Sequence, residues 1–94
     1  MSKSILQPDE KECYISGRTD GLHRHHIYGG NPRRKISERE GFWVWLNADW
    51  HNMSDHGVHF DHELDMRLKR ECQAKYEETH SRDQFMALIG RSFL

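Results

Sequence analysis

Few cysteines, few prolines, almost no net charge and no long apolar run characterise this chain. Two cysteines, Cys13 and Cys72, stand at unrelated positions, which excludes a disulfide framework and leaves the fold to packing or to a bound metal. No stretch approaches the length of a signal peptide's apolar region or of a membrane span, so a soluble, cytoplasmic protein with no membrane attachment is the expectation. The formal net charge is -1. Whole-chain electrostatics therefore draws the protein to neither nucleic acid nor an anionic membrane, and any basic surface must be local. Ninety-four residues fit one domain, small enough that a metal or a partner would add much to its stability. No repeats, low-complexity segments or linkers interrupt it.

Histidine is abundant, and it is concentrated. Of the eight histidines, six lie between His23 and His59. Imidazole is both a common metal ligand and the usual acid or base near neutral pH, so a doublet, His25-His26, and a spaced set, His51, His56 and His59, suggest a site.

The chain reads as α+β. Residues 1–12, with one short apolar pair and the charge cluster Asp9-Glu10-Lys11-Glu12, are expected to form a flexible arm. Residues 13–94 are expected to form the single domain. The turn dipeptides Ser16-Gly17 and Asp20-Gly21 make a knuckle before a first strand that ends near Tyr28, where Gly29-Gly30-Asn31-Pro32 must break regular structure. Pro32 to Glu40 carries Arg33, Arg34, Lys35 and Arg39; Ser37 and Glu40 could cap a short turn, but a long exposed loop is the reading preferred. Phe42 to Leu46 is short, apolar and aromatic, which predicts a buried second strand and hence a hairpin. Trp43, Trp45 and Trp50 read as core before they read as base-stacking groups.

A short helix is predicted over Ala48 to His56, capped by Asn47 or Asp49 and stopped by Gly57. Leu64, Leu68, Cys72 and Tyr76 form one stripe on a longer helix, about 61–79, with Asp61 as its cap, which gives Cys72 a packing role. Ser81 and Gln84 resemble a capping box for a last helix, about 82–89, with Phe85, Leu88 and Ile89 on one face and Gly90 as its stop. The two C-terminal helices are expected to cover the hairpin. His62 and His80 read as surface.

Leu22-His23-Arg24-His25-His26-Ile27-Tyr28-Gly29-Gly30, taken with Trp45-Leu46-Asn47-Ala48-Asp49-Trp50-His51-Asn52-Met53-Ser54-Asp55-His56-Gly57, resembles the HNH, or ββα-metal, endonuclease family, in particular its small phage and prophage members. The resemblance runs from Cys13 to about Phe60 and implies a ββα-metal core over about 22–57. It also implies a metal-dependent endonuclease that hydrolyses phosphodiester bonds in DNA, acting in the host cytoplasm if phage-encoded. His25 would be a ligand of one divalent ion (Mg, Mn, Ni or Zn), His26 the general base, and His51 the metal-binding histidine of the helix. For a third ligand His56 is preferred, because Gly57 should break the helix and let the ring swing inward; Asp55, on the helical face of His51, and His59 are alternatives. Neighbouring residues on a flat strand point to opposite faces, so convergence of His25 and His26 needs a bulge or a strand end.

The sequence also departs from the family. The structural-zinc positions fall at Cys13, Ser16, Asn47 and Trp50, which cannot supply four good ligands, so no structural zinc is expected. Gly41-Phe42 stands where the middle asparagine, which braces the base loop, is usually found. A second function is therefore carried beside the first: a catalytically silent HNH-like fold that binds nucleic acid or a protein partner. In either case Arg33, Arg34, Lys35 and Arg39 are placed to meet a DNA backbone, giving affinity without sequence readout.

Overall fold

The computed structural model describes residues 3–48 and 62–94. In chain order these residues form β1 (Leu22–His26), α1 (Arg33–Glu40), β2 (Trp43–Asn47), α2 (His62–Tyr76) and α3 (Arg82–Ile89). The architecture is α+β, a two-stranded antiparallel sheet with three helices. Among the described residues no helix is long and apolar enough to cross a membrane.

The ladder is regular from Leu22 opposite Asn47 to His26 opposite Trp43. Because side chains alternate along a strand, the register sorts the sheet into two faces. His25 and its partner Val44 share one face with Leu46, and Val44 and Leu46 belong to the core. Arg24, His26, Trp43 and Trp45 share the other. Trp43 and Trp45 meet edge to face there, with centroids 5.2 Å apart, and the Arg24 guanidinium lies 4.1 Å from the Trp43 ring centroid. The tryptophans of β2 thus back the outer face and are covered by a cation.

A two-stranded sheet leaves one edge of β2 without a strand partner, and residues before β1 occupy it. Ser4 Oγ donates to the Trp43 carbonyl, Trp45 N–H donates to Gln7 Oε1 at 2.9 Å, and Tyr14 N–H donates to the Trp45 carbonyl at 2.8 Å. The stretch expected to be a flexible arm therefore makes defined contacts, with Ser4 and Gln7 buried. Gly41 permits the close approach: its φ is +80°, and a Cβ there would sit 2.2 Å from the Lys3 carbonyl oxygen. A side chain at this position would strain the backbone and displace that segment.

The core lies between the inner sheet face and the helices. Leu64, Leu68, Cys72 and Tyr76, predicted as one stripe, are all buried. Phe42 meets Tyr76 edge to face at 5.3 Å and Tyr28 at 5.5 Å, while Tyr28 also meets Phe85 at 5.4 Å. Burial pushes the Cys72 thiol up to about 12, as a purely packing cysteine requires. α2 ends at Tyr76 instead of near residue 79, because its last turn tightens: Thr79 N–H reaches back three residues to the Tyr76 carbonyl at 3.2 Å. The Ser81–Gln84 capping box and the left-handed Gly90 bound α3 as expected.

Residues 33–40 differ from the sequence reading: they form helix α1 where a long loop was preferred. Its sequence carries no apolar stripe, and Ser37 is its one buried residue. Polar tethers hold it instead. Arg33 Nε donates to the Ile89 carbonyl at 3.0 Å, and Ser37 Oγ accepts from Tyr28 N–H at 3.2 Å and donates to the Tyr28 carbonyl at 2.9 Å. The helix predicted over 48–56 lies outside the described residues except for Ala48, and so does the Asp61 cap.

Candidate functional site

The outer face of β1 and the exposed side of α1 build one cluster. Period-two alternation puts Arg24 and His26 on the same side of the strand, and Glu38 sits four residues after Arg34 and three after Lys35 on α1, so the three share a helix face. The elements meet at Glu38. Its Oε2 lies 2.6 Å from His26 Nε2 and its Oε1 accepts from Arg24 Nη1. Arg24, His26, Arg34, Lys35 and Glu38 line an open groove of about 550 Å³. Partial burial pushes the Glu38 carboxyl up, but the hydrogen bond from His26 and the nearby positive charge of Arg24 outweigh it and hold the group below the usual carboxylate range.

The basic residues singled out in the sequence divide into two sets. Arg34 and Lys35 are exposed and line the groove. Arg33 is half-buried against α3 through Ile89, and Arg39 forms an ion pair with Glu40 at 2.9 Å. Arg24 enters the groove from β1, and with Glu38 and Ser37 it was missed by the sequence reading. The signal for Arg24 was its spacing of two from His26. For Glu38 it would have been the i, i+4 relation to Arg34, had a helix been read there.

His25 and His26 occupy opposite faces of an uninterrupted ladder. His25 is 5% exposed, on the side of Val44 and Leu46. His51 and His56, and the alternatives Asp55 and His59, lie outside the described residues. Of the expected metal ligands His25 is therefore the one the structure describes. A set of imidazoles suits a borderline divalent ion such as Zn²⁺ or Ni²⁺ better than Mg²⁺. Among the described residues, no three His, Cys, Asp or Glu side chains are grouped to hold a metal.

The knuckle before β1, where no structural zinc is expected, places Cys13 and the Asn47 side chain in other hydrogen bonds. Cys13 is buried, and its Sγ lies 3.5 Å from the Ser16 amide, which donates to it. Burial raises the Cys13 thiol, but hydrogen bonds from the backbone of Asn47 and from Ser16 more than offset that, leaving the group below its ordinary value. Asn47 Nδ2 donates to the Asp20 carbonyl at 2.9 Å, and Trp50 lies outside the described residues. The Ser16 amide thus donates to the one thiol of the knuckle.

Comparison with protein-family models, with curated proteins and with solved structures gave no match.

Proposed function

We propose that this chain is a metal-dependent endonuclease of the HNH type that hydrolyses phosphodiester bonds in DNA. The observation that carries the reading is the groove in which His26 stands beside Arg24, Arg34 and Lys35. An imidazole that can accept a proton near neutral pH, set among cations that attract phosphate, is the pairing this hydrolysis needs. The first turn of α1 contains no acidic residue and begins with Arg33, Arg34 and Lys35. Cations at the positive end of a helix oppose its dipole, a cost of about 0.3–1 kcal/mol each that an anionic ligand would offset.

In the reaction His26 takes a proton from the attacking water as its oxygen bonds to phosphorus. The bond to the leaving oxygen then breaks, and that oxygen takes a proton from solvent. Arg34 and Lys35 hold the flanking phosphates and fix the strand relative to His26. The resemblance implies a divalent ion that His25, with His51 and His56, would hold and that would stabilise charge on the phosphoryl oxygens; in the regular ladder His25 lies on the sheet face opposite His26 and its groove.

One observation favours the silent DNA-binding alternative. The regular ladder sends His25 and His26 to opposite faces, so binding by the groove does not require the two imidazoles to converge. Cleavage of plasmid and single-stranded DNA with Mg²⁺, Mn²⁺, Ni²⁺ or Zn²⁺ separates the readings. His26→Ala is expected to lower the rate about a hundredfold or more while retaining metal binding, and His51→Ala to lose both. No cleavage by the wild type with any of these ions would leave the silent fold. Equal cleavage by wild type and His26→Ala would remove His26 as the base.

A further inference from the structure

We infer that Ser37 and Glu38, adjacent on α1, are positioning residues for His26. The inference rests on His26 being the working base. Two sets of contacts carry it. Ser37 Oγ, fully buried, bonds both the N–H and the carbonyl of Tyr28, two residues after His26, at 3.2 and 2.9 Å. A single hydroxyl thereby fixes the backbone where β1 leaves the sheet, at the point where a histidine at the strand end must be aimed. The next residue, Glu38, meets the ring itself: its carboxylate oxygen lies 2.6 Å from His26 Nε2, while Arg24 holds its other oxygen.

The chemical consequence follows from which nitrogen is engaged. A carboxylate can only accept, so His26 Nε2 carries the hydrogen and donates it to Glu38. In the neutral ring Nδ1 is then the proton acceptor, and the imidazolium formed when it takes a proton from water is stabilised by the adjacent carboxylate. Arg24, stacked on Trp43, restrains Glu38 in turn. The arrangement repeats the general logic of a base oriented by a third group. One helix thus supplies the backbone brace, the ring brace and the phosphate-binding cations Arg34 and Lys35.

Nitrogen-15 NMR of the full-length protein, at a pH where the ring is neutral, reads the tautomer of His26 directly. The wild type is expected to hold hydrogen on Nε2, and Glu38→Ala to give a mixture of tautomers. Glu38→Gln, whose carbonyl still accepts, should keep the Nε2–H form and rescue much of the activity. In cleavage assays Glu38→Ala should lower kcat about tenfold or more with little change in KM for DNA, as expected when a base is misaligned but binding persists. Ser37→Ala should lower kcat similarly and speed hydrogen exchange at the Tyr28 amide. A wild-type ring with hydrogen on Nδ1, or a tautomer unchanged in Glu38→Ala, would overturn the inference. Wild-type protein that shows the Nε2–H tautomer but cuts no DNA would overturn the nuclease reading and leave the bracing of the ring standing.

Discussion

The Tyr14 hydroxyl donates to Glu71 Oε1 at 2.6 Å, joining the knuckle before β1 to the middle of α2 across 57 residues. Burial and the adjacent carboxylate push the Tyr14 phenol up to about 12, so the folded protein favours its protonated form. Glu71 is driven the other way: burial raises it, but hydrogen bonds from Tyr14 and Arg67 prevail and hold it below the ordinary carboxylate range.

The signs of the two shifts fix a pH window. A phenol whose folded pKa is raised contributes stability that is complete below the ordinary tyrosine value and is lost as pH rises toward about 12. A carboxylate whose folded pKa is depressed contributes stability that is complete above its ordinary value and is lost as pH falls through the folded one. Tyr14→Phe should therefore destabilise the protein by about 1 kcal/mol at neutral pH. It should also flatten the alkaline decline in the urea midpoint and weaken the acid one. An alkaline decline identical in wild type and Tyr14→Phe would show that another group controls it.

What could be read from the sequence was whatever is encoded by apolar periodicity or by a local cap. Leu64, Leu68, Cys72 and Tyr76 marked α2, Ser81 with Gln84 marked the start of α3, and Phe42 to Leu46 marked β2. Helix α1 was illegible because its stability comes from Arg33, Ser37 and Glu38 reaching residues that are distant in sequence or in another element, and such tethers leave no period. The contacts of residues 4–7 were hidden for the same reason: Ser4 and Gln7 are polar, and what buries them is the open edge of β2. At the site, the doublet drew the eye to His26, while Glu38 looked like one more charge in a charged stretch.

The knuckle supports a prediction about metal. Because Ser16, Asn47 and Trp50 cannot complete a tetrahedral set around Cys13, and the Asn47 side chain is committed to Asp20, Co²⁺ added as a zinc surrogate should give no sulfur-to-cobalt charge-transfer absorption, and Cys13→Ala should leave the cobalt spectrum of the protein unchanged. A charge-transfer band that disappears in Cys13→Ala would show that the knuckle is a thiolate metal site after all.

The division of the basic residues makes the groove testable apart from any chemistry. Arg34 and Lys35 line it, so if the groove holds DNA as proposed, replacing both with Ala should weaken binding to every DNA sequence alike. It should also reduce the slope of log affinity against log salt by about 0.9 for each phosphate no longer neutralised. Arg33, although its neighbour in sequence, spends its Nε on the Ile89 carbonyl at the end of α3. Arg33→Ala should accordingly lower stability by about 1 kcal/mol and leave the salt slope unchanged. Fluorescence anisotropy with labelled duplexes across a salt series, beside urea melts of the same proteins, measures both effects. If Arg33→Ala flattened the salt slope as much as the double variant, the DNA backbone would have to run along the α1–α3 junction instead of the groove beside His26.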